Sequence, residues 1–179
     1  MLLRGFVRSK KTLVEAGQWT DTKLPKTGGP FPLSKNRSLR LGNLWHWRLV
    51  KLECDGRQFR LLLTCHEDKQ QFVAYCGATI GTDTFVIGRL EYHATHPGLH
   101  IHGCCQPSQP EWHGRTGHQG LTRLPDGKAH HRRRTMHVTR DIVLKAVADT
   151  FCIDGLLPPS TPPEDLAPMQ SAFDLSPRE

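Results

Sequence analysis

Four histidines and two cysteines stand within the fourteen residues from Tyr92 to Cys105. Three of the histidines, His93, His100 and His102, follow the spacing H-x6-H-x-H. Side chains alternate across a β-strand, so His100 and His102 share a face if this stretch is extended. Pro97-Gly98 marks a tight turn just before them, which folds the preceding strand back and brings His93 alongside. Neutral imidazole is the commonest transition-metal ligand, and three converging imidazoles leave a coordination position open for a reacting group. The expected chemistry is therefore that of a divalent metal ion, Zn or Mn, on His93, His100 and His102. Glu91 and His96 flank the cluster as partners of the ligand rings or as proton carriers. Cys104 and Cys105 keep a second arrangement open, a structural zinc on mixed His and Cys ligands.

The second feature is the run from Lys128 to Arg140, which contains His131, Arg132, Arg133 and Arg134. Guanidinium forks hydrogen-bond phosphates in pairs, and a helix that starts just after the run adds its own positive end. Trp112 lies in the preceding polar connection and offers a stacking surface for an unpaired base. The net charge of +7 is unevenly placed. Residues 1–51 carry 11 Lys/Arg against 2 Asp/Glu, and residues 108–145 carry 8 against 3. The centre that holds the histidines, residues 52–107, carries 4 against 6. Two basic blocks flanking a near-neutral centre suit a phosphate backbone that crosses a site. Single-stranded DNA or RNA is the expected partner, because no groove-reading module is visible.

The spacing His93-x6-His100-Ile101-His102 resembles the metal motif of the HUH (His-hydrophobe-His) endonucleases, above all the mobilisation relaxases, whose pattern runs approximately H-x-D-E-x-x-P-H-x-H. The resemblance covers about ten residues, with Pro97 near the family's proline. It implies an antiparallel sheet, a divalent ion that polarises the scissile phosphate, and a tyrosine nucleophile. Thr95 stands where the family has its acid, and the chain's two tyrosines, Tyr75 and Tyr92, lie in no nucleophile motif. Tyr75 is the better candidate nucleophile, and a hydrolytic enzyme that activates water is the alternative. Leu99-His100-Ile101-His102 is also similar to the end of the histidine-triad motif of nucleotide hydrolases, with Gly98 in place of the first histidine. A different class of function fits the same residues: a non-catalytic nucleic-acid-binding subunit of a larger assembly, with a structural zinc or no metal.

These residues need a scaffold. Leu44–Cys54 and Arg57–Cys65 read as strands joined by Asp55-Gly56, a strong hairpin signal. Gln71–Thr79 fits a strand or a short helix. Thr84–His93 and Leu99–Cys105 complete the pattern. Trp45 and Trp47 share a strand face and read as core, and Cys54, Cys65 and Cys76 read as ordinary buried thiols. Thr139 is the expected N-cap of a helix over 140–152, with Gly155 as its stop. The fold class is α+β: an antiparallel β-meander of four or five strands with a C-terminal helix and flexible termini. The organisation is a basic, partly ordered N-terminal arm (1–42), a single α+β domain (43–155) and a flexible, acidic, proline-rich tail (156–179). Arm and tail are candidate docking segments for a protein partner. No stretch resembles a signal peptide or approaches the roughly 20 apolar residues of a membrane span, so a soluble cytoplasmic protein is expected.

Overall fold

The computed structural model of the chain describes residues 3–21, 41–80, 83–94, 98–103, 112–113, 122–124 and 135–157. A short helix, α1 (Leu3–Arg8), leads into an edge strand, β1 (Thr12–Glu15). Five long strands follow: β2 (His46–Cys54), β3 (Arg57–His66), β4 (Gln71–Ile80), β5 (Asp83–His93) and β6 (Gly98–Gly103). Two short strands, β7 (Trp112–His113) and β8 (Thr122–Leu124), precede the helix α2 (Arg140–Phe151). The sheet order is β1-β2-β3-β4-β5-β6-β8, antiparallel throughout, and β7 pairs with β5 beyond the end of β6. The predicted α+β meander is β2 to β6, widened by the three short strands.

Local chemistry explains the main turns. Asp55 and Gly56 both take positive φ (51° and 69°) between the paired residues Cys54 and Arg57, the primed geometry that matches strand twist. Gln71–Thr79, open between strand and helix in the sequence, is strand β4. Ala74, Tyr75, Cys76, Gly77 and Ala78 are all buried, so both faces of β4 are covered and no alternation survives to be read. Thr139 caps α2 as expected: its hydroxyl accepts from the Ile142 N–H at 3.3 Å. The other end differs from expectation. Cys152, not Gly155, takes the left-handed conformation (φ 51°) that ends the helix, and its N–H donates to the Ala148 carbonyl.

The two faces of the sheet are unlike. One carries Val50, Leu52, Phe59, Leu61, Leu63, Phe72, Ala74, Leu90 and Tyr92, and both helices cover it. From α2 come Val143, Leu144, Val147 and Phe151; from α1 comes Phe6, whose ring lies 4.5 Å from Phe59 and 5.8 Å from Phe151. The start of the expected basic arm is thus built into the core, and β1 extends the sheet. Gly17 allows this: its φ is +65°, and a Cβ there would stand 2.1 Å from the Leu49 carbonyl oxygen. Residues 22–40 of the arm and 158–179 of the tail lie outside the described residues. The opposite face holds a small apolar cluster, Leu62, Tyr75 and Val86 with Trp47, Leu49 and Val73. Beside that cluster the face turns polar. Trp47 packs there, while Trp45 stands edge-on to His66 at 5.5 Å.

Candidate metal centre

The polar part of that face is assembled by the β5–β6 hairpin. Its register sets Arg89 opposite His102, Glu91 opposite His100 and His93 opposite Gly98. On the other side of β5, Tyr75 is opposite Arg89 and Val73 is opposite Glu91. The period of two then puts Tyr75, Arg89, Glu91, His93, His100 and His102 on one face, away from the helices. The odd positions of β5 bring the charges, while the even positions Leu90 and Tyr92 enter the main core.

Glu91 is the centre of the cluster. Its Oε1 lies 2.8 Å from His100 Nε2 and 3.0 Å from His102 Nε2. Its Oε2 is paired with the Arg89 guanidinium. Arg89, Glu91, His100 and His102 are all buried, at 7, 2, 6 and 6% exposure. Burial alone would raise the Glu91 pKa, but hydrogen bonds from His100, His102 and Arg89 outweigh it and hold the carboxyl well below the usual range. Glu91 is therefore a fixed carboxylate, which suits a ligand and does not suit the proton carrier expected from the sequence.

His100 carries the more telling geometry. Its Nδ1 lies 2.9 Å from the Gly98 carbonyl oxygen, and its Nε2 faces Glu91 Oε1. Both ring nitrogens thus face acceptors. A neutral imidazole has one N–H, so a second positive centre must stand at one of them. Either the ring is an imidazolium, or Nδ1–H donates to Gly98 and a metal cation takes the place of the proton at Nε2. The second arrangement is how metal-bound histidines are oriented, with the far nitrogen donating to a backbone carbonyl. The ligand atoms of Glu91, His100 and His102 lie within 4.8 Å of one another. Donors around a tetrahedral ion stand roughly 3.4 Å apart for bonds of about 2.1 Å, so a fit needs Glu91 Oε1 to move about half an ångström away from each ring.

His93 stands at the rim. Its Nε2 is 3.7 Å from Glu91 Oε1, its ring stacks on His100 at 5.3 Å, and it is one-third exposed. Burial lowers its pKa, Glu91 opposes this, and the neighbouring His100 adds to the lowering. The set that converges is thus Glu91, His100 and His102 with His93 beside it, rather than the three histidines alone.

The other expected residues fare differently. Tyr75 is buried next to this group, and burial raises its phenol pKa despite Arg89, so the hydroxyl is a poor nucleophile. Arg140 belongs to Glu67: its backbone N–H donates to Glu67 Oε1 at 3.1 Å and its Nε lies 3.4 Å from the same oxygen. It opens α2, on the sheet face opposite the histidines. Trp112 is in β7, paired with Val86, and its side chain is outside the description. His96, Lys128, His131, Arg132, Arg133, Arg134, Cys104 and Cys105 lie outside the described residues. Cys54, Cys65 and Cys76 are buried free thiols, as expected. Sequence reasoning missed Arg89. The period that joins His100 to His102 joins Arg89, Glu91 and His93 in the same way, and that was the available signal.

Among the described residues, no helix is long and apolar enough to cross a membrane. No family model, curated protein or solved structure matches the chain.

Proposed function

We propose that the chain is a metal-dependent nucleic-acid-processing protein that acts on phosphodiesters of single-stranded DNA or RNA. The observation that carries this reading is His100, whose two ring nitrogens both face acceptors next to Glu91 and His102. Two imidazoles and one carboxylate are the donor set of catalytic zinc in several hydrolases, and the same set holds non-haem iron. A bound divalent ion supplies a Lewis acid for a phosphate oxygen. Glu91, His100 and His102 hold it, and Arg89 keeps Glu91 ionised. His93, partly exposed and favoured in its neutral form, is the group placed to take a proton from attacking water. Water rather than a tyrosine is the nucleophile in this reading, since Tyr75 is buried. The two basic blocks of the sequence favour a polyanionic substrate.

A second reading has its own support. The three ligands are almost fully buried, as in a structural metal site. The chain is then a nucleic-acid-binding subunit whose ion holds β5 to β6.

Elemental analysis of the purified protein, before and after incubation with zinc, manganese, iron and cobalt salts, is the first experiment. Labelled single-stranded DNA and RNA are then offered to the loaded protein. About one ion per chain, lost in His100→Ala, together with cleavage that a chelator abolishes supports the enzyme. One tightly held ion with binding and no cleavage supports the subunit. A folded protein that takes up no ion overturns both metal readings.

A further inference from the structure

We propose that Arg89 determines which ions the Glu91–His100–His102 cluster accepts, by occupying one oxygen of Glu91 so that only the other can serve as a donor. The inference rests on the reading of that cluster as a metal site. The carboxylate is divided. Both imidazole Nε2 atoms converge on Oε1, while the Arg89 guanidinium takes Oε2. Arg89 and Glu91 are two residues apart on one strand face, so the pairing is built into β5 and needs no loop to close.

The division has a chemical consequence. Calcium takes six to eight oxygen ligands and favours carboxylates that bind through both oxygens, and magnesium demands octahedral oxygen coordination. A site that offers two imidazoles and a single carboxylate oxygen suits zinc and other borderline transition ions of low coordination number. Arg89 also stands beside any bound cation as a like charge, which weakens cation binding in general. The guanidinium is thus a device for selectivity rather than for affinity. Burial makes the arrangement persistent, because releasing Arg89 from Glu91 would separate two opposite charges in the interior. The guanidinium takes Oε2 through one of its terminal nitrogens.

Arg89→Lys keeps the charge and removes the guanidinium. Competition titrations with Zn2+ and Mn2+ measure the preference of each protein for zinc. The preference is expected to fall about tenfold or more in Arg89→Lys, the scale on which partners of metal ligands act. The Co2+-loaded variant is expected to absorb more weakly in the visible than wild type, as its coordination number rises. X-ray absorption at the zinc edge of the loaded wild type gives a second test that needs no variant to fold: two imidazoles and a single short carboxylate oxygen are expected. An unchanged zinc preference in a folded Arg89→Lys, or a carboxylate bound through both oxygens in wild type, overturns the role of Arg89 and leaves the site. Failure of wild type to bind zinc, manganese or cobalt overturns the site itself.

Discussion

Glu91 and His100 stand directly opposite each other in the β5–β6 ladder, with Oε1 and Nε2 2.8 Å apart. That contact joins two buried rows, Arg89–Glu91 on one strand and His100–His102 on the next. Glu91→Gln keeps the shape and removes the charge. It leaves Arg89 in the interior without its carboxylate, which costs about 3–5 kcal/mol for a buried pair broken on one side. Urea denaturation of the metal-free protein checks this. A loss near zero would mean that the Arg89–Glu91 pair is not formed as described.

The same carboxylate sets an acid limit on stability. The Glu91 pKa is held well below its ordinary value of 4.5 in the folded chain. An acid whose folded pKa is depressed stabilises the fold above its unfolded pKa and loses that contribution as pH falls towards the folded value. The stability gap between metal-free wild type and Glu91→Gln should therefore shrink progressively as the pH falls below about 4.5. Denaturation midpoints measured from pH 7 down to pH 3 give the curve. A gap that persists unchanged to pH 3 would contradict the depressed pKa.

Some of this was open to a sequence reader. His100 and His102 sharing a strand face, the Asp55-Gly56 hairpin and the Thr139 cap follow from local rules, and the structure has them. Other features depended on what packs where. The role of Glu91 required knowing the β5–β6 register, which sets it against His100 and leaves His93 opposite Gly98 at the rim. Strand β4 was ambiguous because it is covered on both faces. The stop of α2 at Cys152 was hidden because a non-glycine residue adopts the left-handed conformation there. Phe6 gave no local sign of entering the core, since its partners Phe59 and Phe151 are remote in sequence.

The cysteines should react very unequally. Burial pushes the Cys65 thiol up to about 12 and raises Cys76 well above its ordinary value, whereas Cys152 is exposed at the end of α2. Thiolate is the reactive form, so at pH 8 the folded protein should label at Cys152 but not at Cys65 or Cys76. Peptide mass spectrometry after brief alkylation locates the labels. Rapid labelling of Cys76 in the folded state would be inconsistent with its place under the helices. Cys152→Gly should in turn stabilise the protein by up to about 1 kcal/mol, since it removes the roughly 1–2 kcal/mol cost of a left-handed side-chain-bearing residue but adds the roughly 0.5–1 kcal/mol of chain entropy that glycine loses on folding.

The N-terminal segment offers a test of where the domain begins. Phe6 is fully buried between Phe59 and Phe151, while Val14 on β1 is 62% exposed. Truncating a buried phenylalanine removes its transfer energy and leaves a cavity, so Phe6→Ala should cost about 3–5 kcal/mol. Val14→Ser should stay within about 0.5 kcal/mol of wild type. If Phe6→Ala is too unstable to purify, Phe6→Leu reports the same contact at smaller cost. Urea midpoints for the three variants rank them directly. A Phe6→Ala midpoint equal to wild type would return the first residues to the status of an arm that the sheet does not need.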